Sequence, residues 1–307
     1  MVHVDIESAL QSPVGRHLVE RMSRDPRQPF ARMSRDFGLC PRSDLRGLTV
    51  FGLPGKPGDV VSVLTIAGCG DIGAGLARAD RCDLTTVERD GFRVHSWKSR
   101  HKTFYAAERE GLRASDKLVI LADSVRALDI GMGAVSRALH GEKVMPESPR
   151  PPGEPGANSF LFVSAGDMNA PGEERPNAEL LREARSLVLD VGRDPGSPGD
   201  TVYGRATIGA ADHKSALKIR QLAQGVLAFM ALTAADQPEE SAAVGDLVSG
   251  VTIVAEEDRC VVSSRHDAKT VIAVYDLMEE KRREARAVEH VEKGGAEGPK
   301  AKGDSKR

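Results

Sequence analysis

The chain opens in strict alternation: Val2, Val4 and Ile6 are apolar, and His3 and Asp5 between them are polar. That is the period of a half-buried strand. The period then changes, because Ile6, Leu10, Val14, Leu18 and Met22 recur every four residues, the stripe of an amphipathic helix. Pro13 follows Ser12 within that stripe and reads as a fresh helix start rather than a kink. A polar connection covers 23–44. Strands are predicted at 45–52 and 60–67, joined by a turn at Pro54-Gly55-Lys56-Pro57-Gly58-Asp59. A short helix over 70–79 follows, then a hairpin of 84–88 and 92–97 around Asp90-Gly91. Strands at 103–107 and 118–122 lead to Asp123 or Ser124. Either can cap a helix whose apolar face is Val125, Leu128, Met132, Val135 and Leu139.

The pattern then starts again. Residues 142–157 include Pro146, Pro149, Pro151, Pro152 and Pro155, the composition of a stiff, extended linker. Beyond it come a strand at 160–163, a short helix opening at 177–181, and a second turn, Pro195-Gly196-Ser197-Pro198-Gly199-Asp200. Apolar runs flank both Pro-Gly turns, as a duplicated strand–turn–strand unit requires. A helix over 211–234 is expected to bury Ile219, Leu222, Val226 and Met230. A hairpin of 251–255 and 260–263 follows, and a last helix turns Val271, Tyr275 and Met278 inward. The expected fold is α+β: two tandem similar units, 1–141 and 158–290, each an antiparallel sheet with helices packed on one face. Residues 291–307 read as a disordered charged tail.

Composition narrows the function classes. In 307 residues, 43 Lys and Arg balance 45 Asp and Glu, so no global field draws the chain to nucleic acid. One Trp and three Tyr weaken base-stacking or sugar-platform readings. Cys40, Cys69, Cys82 and Cys260 lack metal-ligand spacing and read as isolated small hydrophobes, so no metal site is expected. No apolar run has the length of a membrane span. The strand begins directly after Met1, with no signal-like segment before it. The expectation is a cytoplasmic product, or an extracytoplasmic one whose export signal lies upstream.

Two patches invite chemistry. Gly68-Cys69-Gly70-Asp71-Ile72-Gly73 has the dinucleotide-binding spacing after an apolar strand, and Glu88 ends the next apolar run, where a ribose-binding carboxylate would stand. An NAD- or FAD-linked oxidoreductase using Gly68, Gly70, Gly73 and Glu88 is therefore one reading. Against it, only about two helical turns fit before Glu88, short of a parallel crossover. The second copy, Ile208-Gly209-Ala210-Ala211-Asp212-His213, also lacks the glycine pattern. The other reading makes these glycines turn and helix-start residues with no cofactor. The second patch is Arg93, His95 and Trp97, which alternation puts opposite Phe92, Val94 and Ser96, near His101. It is a candidate ligand-binding cluster, or else a solvated sheet face. Nucleophile-elbow, phosphate-loop, His-Glu-x-x-His and calcium-loop motifs are absent, so no catalytic residue is assigned.

Val2-His3-Val4-Asp5 with Ala9-Leu10-Gln11-Ser12-Pro13, the turn-bearing segment 48–59, Val94-His95-Ser96-Trp97 and Val119-Ile120-Leu121-Ala122-Asp123-Ser124 together resemble an uncharacterised family of bacterial two-repeat envelope proteins. The resemblance covers nearly the whole chain and implies the duplication and an envelope location. It carries no catalytic or binding residues. The expected function is a non-enzymatic binding or structural protein whose partner is a protein or small molecule.

Overall fold

The computed structural model describes residues 1–24, 35, 38–40, 42–52, 60–68, 72–80, 83–99, 102–141, 153–166, 183–194, 200–235 and 238–295. Both Pro-Gly turns (up to residue 199), the predicted helix at 177–181, Cys69, Gly70, Cys82, His101, the linker over 142–152 and the tail from 296 lie outside the described residues.

Strand β1 (Val2–Asp5) runs directly into α1 (Ile6–Gln11). The predicted single stripe is cut at Ser12, which is extended and ends α1. The Ser12 hydroxyl donates to the Ala9 carbonyl at 2.7 Å and accepts from the Gly15 amide at 3.0 Å, so it caps the end of one helix and the start of the next. Pro13 is then the first residue of α2 (Pro13–Arg24), where its missing N–H costs nothing. Next come β2 (Leu45–Gly52), β3 (Val60–Ala67), α3 (Ile72–Asp80), β4 (Thr85–Arg89), β5 (Phe92–Ser99), β6 (Lys102–Glu110), β7 (Asp116–Ala122) and α4 (Val125–Leu139). Ser124 is the α4 cap, accepting from the Ala127 amide at 3.1 Å.

The second half holds β8 (Ser159–Ala165), β9 (Ala184–Arg193), β10 (Thr201–Ala210), α5 (His213–Ala235), α6 (Pro238–Ser249), β11 (Val251–Glu256), β12 (Arg259–Asp267) and α7 (Ala268–Gly295). Helix α6 has no counterpart in the sequence-based expectation. Helix α7 runs past the predicted tail boundary at 291.

All twelve strands form one antiparallel sheet, in the order β11-β12-β10-β9-β8-β1-β2-β3-β7-β6-β5-β4. This corrects the expectation of one sheet per unit. Val2, His3 and Val4 pair with Val163, Phe162 and Leu161, so β1 and β8 fuse the halves. The physical reason is edge satisfaction: β1 bonds β2 on one side, and β8 supplies the partner its other edge lacks. The side chains at this seam are enclosed too, since Phe162 and Ser164 are buried.

Cross-strand registers settle the faces. Val61, Ile120, Ala107, Phe92 and Val94 share one face and pack under Leu128, Met132 and Val135 of α4. The opposite face carries Ile66, Val119 and Ala106 under Ile72 and Leu76 of α3. The first half therefore has helices on both faces, not one as expected. On that second face, farther along the sheet, Ile208, Cys260 and Val262 pack against Ala216 and Ile219 of α5. Val202 and Val191 meet Val14 of α2 and Ala268 of α7. Asp276 of α7 bonds His17 at 2.8 Å and also Arg21, while Arg21 lies 6.0 Å from the centre of the Tyr275 ring. This contact ties a helix of the first half to one of the second.

No described helix covers the face of β9 and β10 that lies beyond the reach of α4. The end of the proline-rich segment crosses it instead, with the Gly156 amide donating to Asp190 Oδ2 at 3.3 Å and the Arg193 amide donating to the Asn158 carbonyl at 3.1 Å. Tyr203 donates to the same Asp190 oxygen at 3.2 Å; burial and that carboxylate push its phenol up to about 12.

Gly131 is where α4 comes closest to the sheet. A Cβ there would stand 2.8 Å from Ile120 Cγ2 and 2.9 Å from Val61 Cγ1, both branched side chains with nowhere to turn. Gly131→Val should therefore destabilise the fold by about 1–3 kcal/mol, the usual cost of overpacking a core, measured by urea unfolding.

Candidate functional site

The densest polar cluster follows from one tight turn. Asp90 and Gly91 both have positive φ, 52° and 75°, the twist that suits a two-residue hairpin. This sets Thr86 opposite His95 and Glu88 opposite Arg93. The next register sets Arg93 opposite Glu108 and Trp97 opposite Phe104. Arg93, His95 and Trp97 thus share a face with Thr86, Glu88, Phe104 and Glu108.

The structure makes His95 an interior residue, 2% exposed, beside Glu108 at 5%. The imidazole Nε2 lies 3.4 Å from Glu108 Oε1 and Nδ1 lies 2.9 Å from the Thr86 hydroxyl. The carboxylate holds the proton on Nε2, leaving Nδ1 to accept from Thr86. Arg93 reaches Glu108 Oε1 at 3.3 Å and Glu88 at 3.4 Å, and Lys117 Nζ stands 3.5 Å from Glu108 Oε2. The His95 hydrogen bond, then the charges of Lys117, His95 and Arg93, hold the Glu108 carboxyl below its ordinary range despite burial. Trp97 stacks on Phe104 with centroids 5.9 Å apart, and the Lys102 ammonium lies 5.7 Å from the Phe104 ring centre.

Hydroxyl, imidazole and carboxylate stand here in the order of a nucleophile triad. Thr86, however, belongs to an edge strand, not to a strand-to-helix turn or helix start whose amides could hold an oxyanion. What the geometry performs is charge closure. The cations that could cradle an anion already hold Glu108.

The dinucleotide residues do not converge. Gly68 ends β3 at φ 94°, and its amide donates to the Ser115 carbonyl at 2.9 Å. Gly73 lies inside α3, and Gly70 is outside the described residues. Strand β3 is antiparallel to both neighbours, and Glu88 sits on β4, four places away across the sheet, paired with Arg93. A dinucleotide fingerprint places its acidic residue on the adjacent parallel strand.

Sequence reasoning passed over a second polar group. Ser215 and Lys218 have Ser-x-x-Lys spacing in the first turns of α5, and that spacing was the available signal. Asp212 caps the helix by accepting from the Ser215 amide at 2.8 Å. The Ser215 hydroxyl and the Lys218 ammonium both donate to Glu183, each at 2.6 Å. A Ser-x-x-Lys nucleophile needs a lysine that can lose its proton. Here Glu183 raises the Lys218 pKa, and Ser215 is 6% exposed. The group fastens the segment before β9 onto α5.

Among the described residues, no cluster of three or more His, Cys, Asp or Glu could hold a metal ion, and no helix is long and apolar enough to cross a membrane. Comparison with protein-family models, with curated proteins and with solved structures finds no match to this chain.

Glu108 predicts an acid limit. Its folded pKa is lowered, so its stabilising effect is present above the unfolded carboxylate value of about 4.3 and is lost as pH falls through the lower folded value. Glu108→Gln should lower stability at pH 7 by about 1–3 kcal/mol, the cost of leaving buried polar partners unpaired. It should also flatten the fall in stability between pH 6 and pH 3. Urea unfolding across that range reads both effects.

Proposed function

We propose that this chain is a non-enzymatic binding or structural protein of the cell envelope, built from two copies of one unit, with a protein or small molecule as its partner. The observation that carries the reading is that the richest cluster of reactive side chains, Thr86, His95, Glu108, Arg93 and Lys117, is consumed by contacts within itself. Glu108 Oε2 takes no hydrogen bond and is engaged only by the Lys117 ion pair at 3.5 Å, and a cluster closed in this way suits a scaffold better than a reaction centre. Strand order supports the duplication. Outward from the seam it runs β1-β2-β3-β7-β6 on one side and β8-β9-β10-β12-β11 on the other. A helix follows the third strand and another the fourth on each side. The envelope location rests on the resemblance carried by the motifs quoted above.

The alternative, an oxidoreductase using NAD or FAD at Gly68, Gly70, Gly73 and Glu88, needs a parallel β-α-β step, and every pairing in the sheet is antiparallel. One titration separates the two. Purified chain is mixed with NAD+, NADH or FAD up to about 1 mM, the upper end of ordinary affinities, while the fluorescence of the single Trp, Trp97, and the unfolding midpoint are followed. Neither should change saturably. A micromolar response abolished by Gly70→Val would establish the oxidoreductase reading in its place. Fractionation of the source cells should recover the protein with the envelope, and a purely cytosolic pool would overturn that location.

A further inference from the structure

Helix α6 passes into β11 through a single residue, Gly250, which crosses β12 at close range. A Cβ on Gly250 would stand 2.3 Å from His266 Cε1, 2.8 Å from His266 Nδ1 and 3.0 Å from the Arg265 carbonyl oxygen. A side chain here would push the ring aside, so glycine is what lets the helix end lie on it. The last turn of α6 closes just before the crossing. There the Asp246 carbonyl accepts from the Gly250 amide at 3.3 Å and from the Ser249 hydroxyl at 2.9 Å. The His266 ring is thus held between β12 and the end of the helix.

That ring is enclosed without being satisfied. Its Nε2 is buried and has no hydrogen-bond partner. A neutral imidazole tolerates this, because its one proton can sit on Nδ1 and leave Nε2 bare. A charged imidazole carries a proton on both nitrogens, which makes Nε2–H a buried donor with no acceptor. The surroundings offer little to offset that cost. Val202 stands opposite on β10 and clusters with Ala268, Val271 and Ile272 of α7. Arg265 and Asp267, the neighbours along the strand, fall on the other face by alternation. There Arg265 pairs with Asp194 at 3.3 Å, and Asp267 accepts from the Lys269 amide at 2.7 Å. Arg220 of α5 acts on Cys260, at the far end of β12. Asp246 of α6 favours the protonated ring, but burial outweighs it and pushes the imidazole below its ordinary range.

The helix above is lightly held. No residue of α6 from Ala242 to Ser249 is buried, and among the described strands β11 pairs with β12 alone. Elements of this kind open before the rest of a fold. We propose that His266 is an acid-operated latch: when its ring gains a proton, the end of α6 and the Gly250 crossing lift from β12 and admit water to Nε2. Loss of the proton closes them again. The closed form binds the proton less well than the open one. It is therefore fully stable above the open imidazole value of about 6.5 and weakens as pH falls below it.

Hydrogen exchange of the full chain at pH 7.5 and pH 5.5, corrected for the intrinsic rate of each amide, tests the latch. Opening of residues 242–251 should rise about threefold or more at the lower pH, where one imidazole can give at most about tenfold. The amides of β5, on the other side of the sheet's seam, should not follow. His266→Phe keeps a ring in the gap but cannot take the proton, so the rise should vanish. The wild-type ring, followed by the resonance of its Cε1 proton, should titrate below about 6.5. A smaller rise, a rise shared by β5, an equal rise in His266→Phe, or a ring that titrates at its ordinary value or above would each overturn the proposal.

Discussion

The short pairing of β1 with β8 is the contact on which the rest of the architecture depends. A strand four residues long contributes few hydrogen bonds of its own. Its effect comes from position, because both of its edges are used and the two half-sheets meet through it. Without that join each half would end in an unpaired edge, and Phe162 and Ser164 would lose the enclosure that buries them. The join also sets the helices. Because β1 passes into α1 without a loop, α1 and α2 must leave the sheet beside the seam. There α2 meets α7, and His17 and Arg21 find Asp276. A local strand pairing thus becomes a contact between helices more than 250 positions apart in sequence.

The seam also explains why the halves are dressed unequally. Helix α4 crosses one face of the first half on Gly131, a residue with no side chain to hold it off the sheet. On the second half the same face carries Asp190, Tyr203 and Gly192, which suit an extended segment better than an apolar helix. Gly192 makes the fit possible, since a Cβ there would stand 2.4 Å from the Asn158 carbonyl oxygen. The proline-rich stretch is therefore part of the packing of β9 and β10 over the residues described. Its composition reports stiffness and says nothing of what it lies against.

Local signals carried most of the element pattern. Alternation found β1, the apolar runs flanking the first Pro-Gly turn found β2 and β3, the Asp90-Gly91 turn found the β4–β5 hairpin, and Ser124 was one of two caps foreseen for α4. Helical periodicity failed where burial is decided by neighbours. Leu222 and Val226 repeat with Ile219 at helical spacing, yet of the three only Ile219 meets the sheet, because Leu222 and Val226 continue the side of α5 that carries Ser215 and Lys218. Met278, also expected to turn inward, is exposed on α7 between the partly buried Leu277 and Glu279. The single sheet was not legible either: nothing in Val2-His3-Val4 or Leu161-Phe162-Val163 distinguishes a strand that pairs within a unit from one that pairs across the seam. At the candidate site, alternation placed Arg93, His95 and Trp97 on one face. Their partner Glu108 lies on another strand, and no spacing along the chain announces it.

What the buried cluster contributes is best argued from register. A buried ion pair replaced by apolar residues of similar volume is often no less stable, so net stability is a weak reason for burying one. Strand β5 has Phe92 and Val94 on the face under α4 and Arg93 and His95 on the other. A slip of one residue against β6 would carry Arg93 and His95 under α4 and leave Glu108 without its imidazole and guanidinium. The penalty would combine lost apolar burial with an uncompensated charge, each of about 3 kcal/mol or more. Strands β4 and β5 are joined by the tightest possible turn, so a slip in one would propagate to the other at the open edge. On this account the cluster excludes the wrong sheet more than it strengthens the right one. The same requirement explains why every ring nitrogen and charged group within it is already engaged.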